Sequence, residues 1–397
     1  MNLHPWPLKF LRLSGVLILT GLFSGQARSE VPDYTIHHSY QSIRALGMGG
    51  AFSGLADDYS AIFYNPAGLT RLEEGNLNMF ISAAADQDIL KFSSDLKNVA
   101  SNTGGSGGSV DVTQIANFIS ANYGKHFSSR IPSAGLLYAR PNWGLAIIPV
   151  DLSLEMEVHQ SAGPSASVVA TQDSTVAYSY ARDLMKTNDR FSVGATVKGT
   201  YRAYYNKSFL ALDIAQNSSL LAASDAQEGL SVDGDLGALY SFHDPGSGFW
   251  HAIRPSLSLI VQNVGGGNFN TSNFHLISKT STLAPPPDQR RFNVGANFEL
   301  PSWWVFKSRF VFDETDIGHD NWTFKKGSHL GAEFRWKMKS WFQGAWRAGF
   351  NQGYWTAGFS GLFAVFQLDL ATFGEEVGPS TNPYQSRKYM LRMSLDF

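Results

Sequence analysis

Apolar and polar residues alternate with a period of two over one segment after another of about ten residues, and this rhythm limits the fold more than any other feature. The last segment shows it best. Tyr389, Leu391, Met393, Leu395 and Phe397 alternate with Lys388, Met390, Arg392, Ser394 and Asp396. In Trp304–Asp313 one set holds Trp304, Phe306, Phe310 and Phe312, and the other holds Lys307, Arg309 and Asp313. Leu330, Ala332, Phe334, Trp336 and Met338 oppose Gly331, Glu333, Arg335 and Lys337 in the same way. A side-chain period of two places such sets on opposite faces of a strand. No run approaches the 18 or so uninterrupted apolar residues that a spanning helix requires.

Fourteen strands can be read: 76–84, 131–140, 142–158, 165–181, 190–205, 227–242, 252–263, 290–300, 303–314, 327–338, 341–350, 353–361, 363–373 and 387–397. The number is even, as in single-chain bacterial barrels. Connections after odd-numbered strands run long (85–130, 206–226, 264–289, 315–326, 374–386), and those after even-numbered strands are mostly tight turns. A soluble sandwich would show the same alternation. Three features favour a barrel in a membrane. Aromatics such as Trp303, Trp304, Trp341 and Trp355 stand at strand ends, where interfacial girdles belong. Only 16 % of the 397 residues are charged, against roughly 25 % in soluble domains. The chain also ends on an alternating strand with a terminal Phe397, which resembles the insertion signal of outer-membrane barrels.

Residues 1–29 read as an export signal. Lys9 and Arg12 precede the apolar run Leu13–Phe23, and Ala27 and Ser29 supply small residues for cleavage. The run is too short to span a bilayer. With no Cys in the chain, an exported fold must hold without disulfides, by a large core or a closed sheet. The expectation is therefore an all-β, antiparallel transmembrane barrel of about fourteen strands (76–397), preceded by a plug over 30–75, in the outer membrane of a Gram-negative-type bacterium. A net charge of −2 gives no reason to expect nucleic acid.

Residues 30–75 do not alternate. Gly47, Gly49 and Gly50 permit close backbone approach and positive φ. Asp57 or Asp58 can cap a short helix at Tyr59–Tyr64, which must end before Pro66 because Asn65 is driven toward extended geometry. A compact segment ahead of a barrel would sit inside it as a hatch. The run GMGGAFSGLADDYSAIFYNPAGL (47–69) resembles the N-terminal signature of the outer-membrane long-chain fatty-acid transporter superfamily, which includes the related barrels of type IX secretion and conjugal transfer. The strong likeness covers about 40–80 and does not separate the branches. It implies a hatch role for Gly47, Gly49, Asp57, Asp58, Asn65, Pro66 and Ala67. In the fatty-acid branch it implies apolar ligands leaving sideways into the bilayer, with no cofactor.

Catalytic motifs are weak. The one Gly-x-Ser-x-Gly match, Gly104–Gly108, lies in a low-complexity loop without the strand and helix that a nucleophile elbow needs. His37 and His38 lack a second ligand pair and read as surface histidines, so neither metal nor enzyme activity is expected. Charges on the polar strand faces, among them Arg309, Glu333, Arg335, Arg347, Asp369 and Arg392, read as lumenal ion pairs tying strands to hatch. The alternative for them is a charged constriction for polar solutes. Two long loops carry apolar residues at helical spacing: Phe92, Leu96, Phe118 and Ile119 in the first, Leu210 and Leu220 in the second. Exposed apolar patches mark binding surfaces, so these loops could capture a hydrophobic ligand or cap each other. The expected role is passive passage of hydrophobic small molecules such as fatty acids; the alternative is a non-transporting scaffold for secretion or conjugal transfer. Expected partners are outer-membrane lipid, the barrel-assembly machinery engaging the strand that ends at Phe397, and a hydrophobic ligand.

Overall fold

The computed structural model describes residues 34–103, 112–186, 189–216, 223–242, 248–271, 276–278, 282–339, 341–379 and 381–397. The export segment 1–29, the Gly104–Gly108 motif and Leu220 lie outside the described residues.

Fourteen strands form one closed antiparallel barrel. They are β1 (Asn76–Asp86), β2 (His126–Arg140), β3 (Trp143–Gln160), β4 (Pro164–Lys186), β5 (Arg190–Leu210), β6 (Gln227–Ser241) and β7 (Ser256–Gln262). They continue as β8 (Arg291–Glu299), β9 (Phe306–Ile317), β10 (Ser328–Lys339), β11 (Phe342–Asn351), β12 (Tyr354–Phe363), β13 (Phe366–Glu376) and β14 (Gln385–Asp396). β14 closes the sheet on β1, with Met79 opposite Leu395 and Ala85 opposite Tyr389. Closure leaves no edge strand, the condition for backbone amides to survive in hydrocarbon. No helix among the described residues is long and apolar enough to cross a membrane.

The alternation resolves as an inside-out protein. Tyr389, Leu391 and Met393 are exposed on the outer face, while Met390, Arg392 and Ser394, which alternate with them, are buried. On β9 and β10, Phe310, Phe312, Leu330 and Phe334 face outward, and Asp313 and Glu333 face the lumen at 0 % exposure. Aromatics crowd the short-turn end. Trp303 and Trp304 stand in the β8–β9 turn, and Trp341 meets Phe363 edge-on at 5.3 Å across neighbouring turns.

Strand ends differ from the sequence reading where side-chain alternation is interrupted. β2 starts at His126 rather than 131, because the register shifts between Arg130 and Ser133 break the pattern without ending the strand. β5 runs to Leu210, so Phe209 and Leu210 belong to a strand, not to a loop helix. β7 is shorter than expected, since Phe249–Ile253 forms helix α6 instead; Arg254 leaves it in the left-handed region. β2–β5 are 15–23 residues long, well beyond the 9–11 that cross a bilayer, and they carry the wall past the membrane at the long-loop end. There, helices α3 (Gln87–Thr103), α4 (Val112–Ser120) and α5 (Ala211–Gln216) gather.

Residues 34–75 lie inside the barrel, with helices α1 (Ile43–Gly47) and α2 (Ala61–Tyr64) and a 3-10 turn at Pro66–Arg71. Phe52, Leu55, Ile62 and Leu69 pack with inward residues Phe80, Leu137, Ala146 and Ile148. Glycines on opposite walls let the segment touch backbone directly. A side chain on Gly49 (φ +70°) would strike the Leu330 and Phe350 carbonyls of β10 and β11. Across the lumen, one on Gly194 of β5 would strike Pro66 and Ala67.

Because Leu391 sits mid-strand on the outer face, Leu391→Arg is expected to destabilise the barrel in lipid vesicles by about 2–4 kcal/mol, read by reversible urea unfolding. A negligible change would mean that this face does not contact hydrocarbon.

Candidate functional site

The lumen is organised around Arg44, which α1 directs toward the β9–β11 wall. Its Nη1 donates to Asp57 and Asp58, at 2.7 Å each, and its Nε and Nη2 form a fork on Glu333 at 2.8 and 2.7 Å. Arg347 donates to Glu333 from the next strand at 2.9 Å, and Arg309 donates to Asp57. Arg335 stands at the edge of this network, 3.7 Å from Asp57 and 44 % exposed. Thus four of the six lumenal charges named from the sequence meet around Arg44 and Asp57. Asp369 and Arg392 sit opposite each other on β13 and β14 but take other partners. Asp369 accepts from Ser360 and Gln367. Arg392 donates to Asn78 at 2.6 Å and lies 3.9 Å over the Phe80 ring.

Burial alone would raise the Asp57 carboxyl, but Arg309, Arg44 and Arg335 outweigh it and hold the group well below the usual carboxylate range. The same acids hold the buried Arg44 guanidinium above its ordinary value, against the opposing effect of burial.

The residues singled out for a hatch are buried or half-buried contacts of the segment. The Gly47 carbonyl accepts from Thr356 of β12 at 3.1 Å. Asp58 receives the Ser60 amide at 2.7 Å, ahead of α2. Asn65 is extended and fully buried; its amide group donates to the Ser53 carbonyl, and its oxygen accepts from the Ala67 amide, both at 3.1 Å. Pro66 opens the 3-10 turn.

Sequence reasoning missed further anchors. Asp313 of β9 accepts from the amides of Phe52 and Ser53, both at 2.6 Å. His37 and His38 are not surface residues: they reach Asp173 of β4 at 2.9 Å and Asp316 of β9 at 3.1 Å. An adjacent pair of histidines flanked by a hatch sequence was the available signal, but the partners are more than a hundred residues away. Among the described residues, no group of His, Cys, Asp or Glu is placed to hold a metal ion.

At the long-loop end, Phe92, Ile115 and Ile119 form an apolar nucleus with Phe127, Val158 and Ala211. Leu96 and Phe118 pack on its flank, with the Phe92 and Phe118 rings 5.1 Å apart. Leu210 stays outside it, 39 % exposed. The lumenal cavities have a different character. One of about 110 Å³ beside His37 and His38 also touches Arg130, Asp316 and Glu375. Another of about 450 Å³, on the short-turn side of residues 34–75, is lined mainly by charged and amide side chains. An apolar groove of about 640 Å³ lies on the outer wall, lined by Ala83, Ala85, Ile131, Phe359, Leu370 and Leu391.

No family model matches the chain, and no curated protein matches it. Solved structures that align with most of it include the toluene transporter TbuX of Ralstonia pickettii. That alignment is 9 % identical over 90 % of this chain and 99 % of the other, with a TM-score of 0.45. The CymD monoaromatic hydrocarbon channel aligns over 91 % of this chain and 98 % of its own, at 9 % identity and a TM-score of 0.44. A FadL homologue of Pseudomonas aeruginosa aligns over 92 % and 98 %, at 10 % identity and a TM-score of 0.32.

Two outcomes test the anchoring. Asp313→Ala strands two buried amides, each worth roughly 1–3 kcal/mol, and should lower unfolding stability by about 2–6 kcal/mol while speeding hydrogen exchange at Phe52 and Ser53. For Asp57 the sign follows from its lowered value: an unfolded carboxyl binds its proton near pH 4, the folded one only at lower pH. The stability difference between wild type and Asp57→Asn should therefore be constant from pH 8 to about 5, and shrink as pH falls below about 4.

Proposed function

We propose that this chain is an outer-membrane barrel that lets small hydrophobic molecules pass from the medium into the bilayer, without cofactor or catalysis. An export signal over 1–29 would deliver it, and the strand ending at Phe397 would engage the assembly machinery. Residues 30–75 would act as a hatch.

The observation that carries this reading is the closeness, along β2, of a buried apolar nucleus and an apolar groove on the outer wall. Phe127 belongs to the nucleus under the loop helices, and Ile131 belongs to the groove on the lipid-facing wall. They stand four positions apart along the strand, roughly 13 Å at about 3.3 Å per residue. The register shifts between Arg130 and Ser133 begin within this interval. An apolar molecule gains about 0.8 kcal/mol for each CH₂ removed from water, and the lumenal cavities, ringed by charged side chains, would return less of it than the outer groove. Passage along the axis is thus disfavoured, and the apolar way out runs sideways. Fatty acids fit this route, as do smaller hydrocarbons.

A second reading has its own support. Residues 34–75 fill the lumen and are fixed by buried ion pairs on the β9–β11 wall, which suits a sealed scaffold whose loop helices dock a secretion or conjugation partner. Uptake of a fluorescent fatty acid and of radiolabelled toluene into cells separates the two. Deleting 88–122, or placing a charge in the groove by Ile131→Arg, is expected to cut uptake at least fivefold while the barrel stays folded on electrophoresis. Unchanged uptake in both, together with a stoichiometric partner on purification, would establish the scaffold instead.

A further inference from the structure

The cavity on the short-turn side of residues 34–75 contains an arrangement that anchoring of the segment does not use. Six basic side chains line it against four carboxylates. The acids are engaged. Asp57 and Asp58 receive Arg44, and Asp57 also receives Arg309. Asp369 accepts from Ser360 and Gln367, and Asp396 accepts from Asn76.

Three of the bases are not engaged in the same way. Among the described residues, the side chains of Lys307 and Lys337 have neither an ion-pair nor a hydrogen-bond partner, their backbone groups being used in the sheet. Arg335 reaches only Asp57, at 3.7 Å, a carboxylate already held by two other guanidinium groups. Strand register brings the three together. Arg335 of β10 is directly opposite Lys307 of β9, and Lys337 follows two residues along the same face. Like charges directly opposed across a sheet are destabilising. Here the pair stands beside a third cation, facing a cavity of about 450 Å³ whose two carboxylates outside ion pairs, Asp369 and Asp396, are held by Ser360, Gln367 and Asn76. All three side chains are exposed toward the short-turn end, so a solute could reach them without displacing residues 34–75.

We propose that this cavity binds a small oxyanion, a phosphate or carboxylate group, between Lys307, Arg335 and Lys337. The planar Arg335 fork matches two oxygens of such a group, and the lysines add charge from either side. Gln343 lines the same cavity and offers an amide donor, whereas the Gln367 amide is already given to Asp369. The site differs from the hydrophobic route in chemistry and lies on the far side of residues 34–75 from the loop helices.

The test is calorimetric titration of the detergent-solubilised full-length protein with inorganic phosphate at constant ionic strength, chloride serving as the control. Saturable binding of one phosphate is expected. Lys307→Gln with Lys337→Gln, and separately Arg335→Gln, should each weaken it at least tenfold, whereas Lys125→Gln in a distant loop should not. The lysine pair is exposed and unpaired, so that variant remains informative if Arg335→Gln fails to fold. A parallel titration with dihexanoyl phosphatidic acid identifies the source of the group: equal affinity indicates a free oxyanion, and affinity more than tenfold higher indicates a lipid headgroup. The proposal is overturned if phosphate shows no saturable binding, if chloride reproduces the signal, or if the Lys307→Gln, Lys337→Gln double variant binds as wild type does. Deleting 88–122 should leave phosphate binding intact, which keeps this result independent of the uptake reading.

Discussion

The pairing of β1 with β14 is the contact on which everything else rests. Hydrocarbon offers no partner to a free amide or carbonyl, so an open sheet of these strands could not stay in a bilayer. Nine residue pairs from Asn78–Asp396 to Asp86–Lys388 make the closure. It joins the first and last strands of the sheet, so the barrel is complete only when β14 is in place. Once closed, the sheet has two environments, and the period-two sequence supplies each with its own chemistry.

That division inverts the usual problem of a protein core. The apolar faces are used up on the outside, so the lumen must be stabilised by polar groups that satisfy one another. Residues 34–75 resolve this in two ways. Against β1–β4 they bring apolar side chains to inward-facing Leu137, Ala146, Ile148 and Phe80. Against β9–β11 they bring Arg44 and Asp57 into buried ion pairs. Removing one member of such a pair leaves an uncompensated buried charge, so the interactions fix position even where their net stabilisation is small. Glycines at the closest approaches let the segment meet both walls at backbone distance.

The same inversion bears on passage. Lumenal cavities ringed by arginine, lysine and aspartate give an apolar molecule less in exchange for water than the apolar groove on the outer wall does. Cations without partners near the short turns are a separate matter: they follow from strand register, and their chemistry suits an anion rather than a hydrocarbon.

Much of the architecture could be read in one dimension. Strand identity, number and facing follow from alternation between adjacent residues, which is why all fourteen strands overlap their expected spans. The misplaced ends at β2, β5 and β7 lie where a register shift, an apolar strand extension or a short helix interrupts that local rule. The apolar spacing of Phe92, Ile115, Phe118 and Ile119 likewise announced helices that bury a shared face.

Partnership was not legible. Arg44 and Glu333 are 289 residues apart, and His38 and Asp316 are 278 apart. Nothing in either neighbourhood specifies the other, because the match depends on how far the barrel's shear and the path of residues 34–75 carry each side chain around the lumen. Which residues meet lipid and which meet the interior follows from the order of residues alone, since facing is a property of neighbours along the chain. Which interior charges neutralise each other, and which stand unpaired, emerges only on folding, since that is a property of neighbours across the barrel.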